Sequence, residues 1–513
     1  MFSTIISAAI CGMEVVLVHA EVDFAQGLPG FLMVGYLGSE VKEAAERVRV
    51  ALKNSGISLP PMRITVNLSP ADIRKEGTSF DLPIAVGILR TLGLIPEQST
   101  EGIIIAGELS LNGAVNPVRG VLPLVRKAKE EGLPRCLIPM ENYEEGRKVA
   151  GIEVIGVSHL EEAIDYFKTG KKCMKHTAEK KEGGEYGDEP DFREISGQSG
   201  AKRAAEIAAA GFHNLLLIGP PGSGKTMIAS RIPGILPPLT EEESMEVASV
   251  YSISGLLSGS GRIRSQRPFV NPHHTITAPA LVGGGKPVKP GVISLAHKGV
   301  LFFDELPEFR ANVIDLLRQP LEEKKIRIAR LGGTYTFPAE FMFVGAMNPC
   351  PCGYYPDQNK CRCTLHNIKR YQGHISGPVS DRMDICAEAA PVTVKQLTAA
   401  GLENAESSAV IRKRVTAARE IQKERYRGKS YCFNALLPQA DIGTFCGLEK
   451  AETRFMEKAF GMLELSARAY YRVLRVARTI ADLDGSGRIT ENHLAEALEC
   501  RMAGAKYWEN GRL

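Results

Sequence analysis

Residues Leu215–Thr226 read LLLIGPPGSGKT, and the fold of the chain follows from this stretch. Leu215, Leu216, Leu217 and Ile218 form a short apolar run of the kind that crosses the middle of a parallel sheet, covered on both faces. The run feeds directly into Gly219-Pro220-Pro221-Gly222-Ser223-Gly224-Lys225-Thr226, a complete G-x-x-x-x-G-K-T. Each fixed residue has a physical task. The glycines let the backbone wrap closely, so that its N–H groups face phosphate oxygens at the start of a helix. Lys225 is placed to reach the outer phosphates of ATP, and the Thr226 hydroxyl to ligate Mg²⁺.

Three later features fit the same sheet. Val300-Leu301-Phe302-Phe303 is a second apolar strand, and it ends in Asp304-Glu305. A carboxylate at that strand end holds the metal and its neighbour polarises the attacking water, so Asp304 is assigned to Mg²⁺ and Glu305 to general base. A third strand, Phe341–Met347, ends in Asn348, whose amide can orient the water or sense the γ-phosphate. Two arginines follow turns, Arg382 in SGPVSDRMD and Arg468 in SAR, the latter opening a helix that also carries Arg472, Arg475 and Arg478. Arginines beside a triphosphate stabilise transition-state charge; taken singly, each reads more readily as a surface or ion-paired residue.

Outward from this centre the 513 residues exceed one ordinary core and call for two or three domains. With 44% hydrophobic and 24% charged residues, the balance is that of a soluble globular protein. A net charge of +4 permits a local nucleic-acid patch without arguing for one. The N-terminus is apolar, but Glu14 and Glu21 interrupt it and no Lys or Arg precedes Lys42. It reads as strands and not as a signal peptide. No run reaches the roughly 18 uncharged apolar residues of a membrane span. The expected divisions are an α+β domain over 1–168, a polar linker over 169–190, an α/β core over 191–390 and a helical domain over 391–513. Ala409–Arg427 and Leu465–Leu483 carry the helical spacing of that last domain. A cytoplasmic location is expected.

Of eleven cysteines, four form C-x-C-x₈-C-x-C at Cys350, Cys352, Cys361 and Cys363. One loop could bring these thiolates together around a structural Zn²⁺; free thiols and disulfides are the alternatives. Asp482-Leu-Asp484-Gly-Ser486-Gly487 begins like a calcium loop, but His493 occupies the twelfth position, where a bidentate Glu is needed. Ile326–Phe337 reads as a hairpin around Gly332-Gly333, preceded by Lys324-Lys325 and carrying Arg327 and Arg330. Basic hairpins grip phosphates without reading bases, though many are only solvated.

P-loop, Asp-Glu, strand-end Asn and two arginines, in this order, resemble an AAA+ ATPase. More narrowly, PHHTITAPALVGGG (272–285), SLAHKGVLFFDELPEF (294–309) and NPCPCG (348–353) resemble the ComM/YifB family, in the magnesium-chelatase-like branch. The resemblance implies a homohexameric ring with a helical lid, in which Arg382 reaches a neighbouring subunit's nucleotide and Arg468 acts as a second sensor in cis. It implies DNA as the partner, in branch migration alongside recombination proteins. Pro268–Pro290, with His273, His274, Lys286 and Lys289, matches a helix-2 insert, which with the hairpin would face the DNA. A chelatase-type or chaperone-like remodeller of a protein partner shares the same core and is the second reading.

The first 168 residues resemble a Lon-protease-like domain of the ribosomal S5 domain 2 type. Gly77–Asp81 sits where that family carries its serine nucleophile, and AGEL (106–109) and LIP (137–139) match later landmarks. The family's catalytic lysine falls at Leu122, which cannot accept a proton, so no peptidase activity is expected.

Overall fold

The structure is a computed structural model that describes residues 2–172, 190–257, 266–330, 333–391 and 405–505. Most of the expected linker, from 173 to 189, lies outside the described residues, as does the hairpin turn at 331–332.

The apolar N-terminus is a hairpin of a mixed sheet. Phe2–Cys11 pairs antiparallel with Glu14–Ala25, from Phe2 opposite Asp23 to Cys11 opposite Glu14. Its alternation is physical: Val18, Ala20, Val22 and Phe24 are buried while the residues between them face outward. The seven-stranded sheet runs in the order 30–34, 63–69, 14–25, 2–11, 103–105, 135–139, 153–157. Helix Asp81–Thr91 packs against the hairpin strands Phe2–Cys11 and Glu14–Ala25 and is almost wholly buried.

The second sheet has five strands, all parallel, in the order Phe269–Val270, Val300–Phe303, Met342–Met347, Leu215–Ile218, Ile385–Glu388. Its strands alternate between two cores. Leu215, Leu217, Val300, Phe302, Val344 and Ala346 pack beneath helices Ser199–Gly211, Ser408–Arg425 and Ala467–Leu483. Leu216, Ile218, Leu301, Phe303 and Phe343 pack on the opposite side with Leu306, Phe309 and Met383. Burial on both faces explains why the sequence shows unbroken apolar runs here. Emptying one such position, Phe303→Ala, would cost about 3–5 kcal/mol. Parallel strands also put all their C-terminal ends on one edge, which carries the site.

The C-terminal region is helical, and its helices begin where side chains cap them. Ser407 accepts from Val410 N–H before Ser408–Arg425, and Ser466 accepts from Ala469 N–H before Ala467–Leu483. The calcium-like loop is spoken for: Asp482 is buried, ion-paired with Arg425 and Arg478, and accepts from Asn434 Nδ2 at 2.8 Å. No helix among the described residues is long and apolar enough to cross a membrane.

Candidate functional site

The strand Leu215–Ile218 ends between two neighbours, Met342–Met347 and Ile385–Glu388. Gly219 follows at a point where the backbone is hemmed in: a Cβ there would lie 2.2 Å from the Ala389 carbonyl. The P-loop then opens onto a cavity of about 400 Å³ lined by Pro221–Met227, Asp304, Glu305, Met347 and Asn348. Residues from three separate strand ends therefore meet in one place. Lys225 Nζ donates to the carbonyls of Gly219 (2.8 Å) and Pro220 (2.9 Å) and to Asn348 Oδ1 (3.0 Å). Burial pushes the Lys225 ammonium below its ordinary pKa, while Asp304 and Glu305 pull the other way. The Thr226 hydroxyl donates to Asp304 Oδ2 at 2.6 Å. A hydroxyl and a carboxylate oxygen converging beside a lysine are the donor set that Mg²⁺ takes in phosphate sites, so the residues fit the ion.

Glu305 holds a left-handed backbone, φ 51°, rare for a residue with a side chain. Strain of this kind is kept where surrounding structure imposes it and often marks function. Here it turns an exposed carboxylate into the cavity at the end of an otherwise buried strand.

Arg382 and Arg468 do not line that cavity. Arg382 is ion-paired with Glu322 and donates to the Pro378 carbonyl, and its own carbonyl accepts from Asn214 Nδ2 at 2.9 Å. Arg468 is largely exposed, with Asp381, the neighbour of Arg382, 3.5 Å away. The two arginines thus share one locality. Behind them the largely buried Asp384 is driven down to about 2, against the upward push of burial, by His213 and Arg472. It ties the base of the P-loop strand to the C-terminal helices.

Known proteins are similar to this chain along nearly its whole length. Family models match at residues 191–397 (magnesium chelatase, subunit ChlI), 20–142 (subunit ChlI of Mg-chelatase) and 405–501 (magnesium chelatase, subunit ChlI C-terminal). Competence protein ComM of Haemophilus influenzae is 43% identical over 503 residues, covering 96% of each chain. Protein YifB of Escherichia coli is 41% identical over 499 residues, covering 97% of each. The chain belongs to the ComM/YifB family of magnesium-chelatase-like AAA+ proteins. Its beginning also matches Lon protease 2 of Bacillus subtilis, 34% identical over 128 residues, which is 25% of this chain and 23% of that protein.

In this family member the expected basic hairpin exists, with Lys325–Arg330 paired antiparallel to Gly333–Pro338. It does not stand alone. A Cβ on Gly283 would come 3.1 Å from Ile328, and one on Gly284 would come 3.3 Å from the Arg330 guanidinium. The hairpin and the 268–290 segment therefore pack together. Lys325, Arg327, Arg330 and Lys286 are exposed, whereas Lys324 and Lys289 are half-buried, their ammonium groups pushed down by burial. Lys324 and Lys325 border a cavity of about 750 Å³ between the two sheets' domains, together with Glu14, Lys127, Glu246 and Lys298. At the hairpin's other strand, Thr336 lies against Gly12 in the N-terminal turn, 3.0 Å from where a Cβ would be.

Leu122 is fully buried in the second position of helix Val121–Glu130. Its N–H donates to Glu145 Oε1 at 2.9 Å, and the same carboxylate accepts from the Ser252 hydroxyl. Ser252 belongs to helix Glu241–Ser254, whose Ala248 is buried with Val121, Leu122 and Val125. The position where the Lon lysine was expected is therefore a packed joint between the N-terminal region and helix Glu241–Ser254 of the AAA+ core. Ser79 lies in a separate loop, its carbonyl accepting from Gly107 N–H at 3.0 Å. Neither Glu145 nor Ser252 was singled out from sequence, since lone polar residues 107 positions apart leave no pattern.

The four cysteines do converge. Their sulfurs all lie within 4.8 Å of one another, with Cys350 buried and the other three half-buried, and none of the four is in a disulfide.

Proposed function

We propose that this chain hydrolyses ATP between subunits of a homohexameric ring and uses the cycle to move DNA, as a branch-migration helicase. The observation that carries the ATPase part is the convergence of Lys225, Thr226, Asp304, Glu305 and Asn348 on one cavity. In the reaction, Glu305 accepts a proton from water as its oxygen bonds to the γ-phosphorus; the bond to the β–γ bridging oxygen breaks, leaving ADP and phosphate. Thr226 and Asp304 would hold Mg²⁺, which when bound offsets phosphate charge. Lys225 leaves its carbonyl partners to neutralise the outer phosphates, and Asn348 orients the water. Arg382 is supplied to the neighbouring subunit's site. Arg468, at the start of helix Ala467–Leu483 with Asp381 3.5 Å away, serves as the second sensor in cis.

The DNA part is supported by whole-length similarity to a protein named for competence and by the exposed Lys325, Arg327, Arg330 and Lys286. The second reading, a remodeller of a protein partner, is favoured by the magnesium-chelatase description of all three matching stretches. ATPase turnover with and without single-stranded DNA, together with forked-duplex unwinding and particle size, separates them. Stimulation by DNA at low salt and strand separation are expected. If DNA neither binds nor stimulates while a protein partner does, the second reading takes its place.

A further inference from the structure

We propose that Cys350, Cys352, Cys361 and Cys363 bind one zinc ion, and that this ion clamps the Asn348 loop onto the P-loop, so that metal and nucleotide occupancy are coupled. The coupling rests on the nucleotide-site reading above; the zinc site does not.

The geometry is that of a tetrahedral site. Cys350 Sγ is 3.4 Å from Cys352 Sγ and 3.8 Å from Cys361 Sγ, and Cys352 Sγ is 3.6 Å from Cys361 Sγ. Four sulfurs around zinc at about 2.3 Å sit about 3.8 Å apart along each tetrahedron edge. A disulfide would instead bring one pair to about 2.05 Å and send the others elsewhere. The Tyr355 N–H also donates to Cys350 Sγ at 3.4 Å, an outer bond of the kind that steadies a ligating thiolate. Four thiolates close the coordination sphere, so the ion is structural.

The loop has a need for such a tie. Between strand Met342–Met347 and helix Leu365–Gln372 there is no helix or strand, and Cys350 is its one fully buried hydrophobic side chain. Connections this long without regular structure are uncommon unless something pins them. Here the inner end is fixed by Gln372 Nε2 donating to the Pro349 carbonyl at 2.9 Å.

Two contacts carry the tie to the nucleotide site. Asn348, immediately before the cysteines, accepts from Lys225. Gly353, one residue after Cys352, is seated on the P-loop: a Cβ there would fall 2.3 Å from Pro221 Cδ and 2.8 Å from its Cγ, and its φ of 85° is itself a glycine conformation. The first cysteine pair is thus held between the sensor and the loop that wraps the phosphates. Whatever fixes that pair fixes both, and linkage requires the effect to run in both directions.

The test uses the full chain purified without chelators. Metal analysis should find about one zinc per chain, and Cys361→Ser with Cys363→Ser should find close to none. Zinc release by a mercurial, followed with a chromogenic chelator, should slow by about tenfold when Mg²⁺ and a non-hydrolysable ATP analogue are present. Gly353→Ala keeps all four thiols while pressing on Pro221, so it should retain zinc yet lose most of that protection. If metal is absent and four thiols react at once in the folded protein, the site is overturned. If zinc is present but its release ignores bound nucleotide, the clamp is overturned while the site stands. If the analogue does not bind at all, the nucleotide-site reading fails together with the clamp, and the zinc content still decides the site.

Discussion

Helices Val121–Glu130 and Lys225–Ile235 begin in the same way and are put to opposite use. Each follows a glycine in the left-handed region, Gly120 at φ 71° and Gly224 at φ 85°. Each presents backbone N–H groups at a helix N-terminus, a place that attracts anions. At the first, the anion is internal: the Glu145 carboxylate takes the Leu122 N–H and closes the end with Ser252. At the second, the N–H groups border a cavity with Lys225 and Thr226 beside them. The same backbone device makes a joint when the chain supplies its own carboxylate and a ligand site when it does not. Glu145 at the first and Lys225 at the second set them apart.

Breaking the ligand site should have the largest effect. Lys225→Ala and Glu305→Gln should each lower ATP turnover about 100-fold or more, measured by phosphate release. Glu305→Gln should still bind the nucleotide, and unchanged turnover in either variant would remove the site. Arg382→Ala should be as inactive alone, yet mixed with Lys225→Ala it should recover part of the activity through hybrid interfaces. No recovery in well-assembled mixed particles would count against a role in the neighbouring subunit.

Effects at the joint should be on stability and not on chemistry. Leu122→Lys restores the Lon residue type but buries an amine, at a cost of about 4 kcal/mol; thermal unfolding should show the loss, and casein degradation should stay absent. Glu145→Ala leaves the Leu122 N–H and the Ser252 hydroxyl unsatisfied, costing about 1–3 kcal/mol. Ser252→Ala removes one donor and should cost about 1 kcal/mol. If these last two changed ATP turnover while leaving stability untouched, the joint would be a catalytic element and the contrast between the two helices would fail.

The ligand site was legible because its residues are tied to local pattern. Leu215–Ile218 and Val300–Phe303 announce buried strands, and the polar residues that follow them must emerge at one sheet edge. The Gly332-Gly333 hairpin and the C-x-C pairs were legible for the same reason, each being a short-range motif. The joint was not: Leu122 showed only that a lysine was missing, its N–H partner is Glu145, and the Ser252 that shares that carboxylate lies on helix Glu241–Ser254, far along the chain. Nor could spacing reveal that Arg382 is engaged by Glu322, 60 positions away, or that Lys324 and Lys289 turn inward. Ion pairs and burial of single long side chains depend on tertiary approach, which no periodicity encodes.

The seat of Thr336 against Gly12 has a mechanical meaning. An unsupported two-stranded ribbon is pliant and flexes under a pull at its tip. This one is backed by a second folding unit at the turn of that unit's longest strand pair, so load applied to the tip is passed into a broad seven-stranded sheet. If the proposed ATP cycle moves this hairpin, a domain with leucine in place of its expected base thereby serves as an abutment, giving the hairpin something rigid to push from.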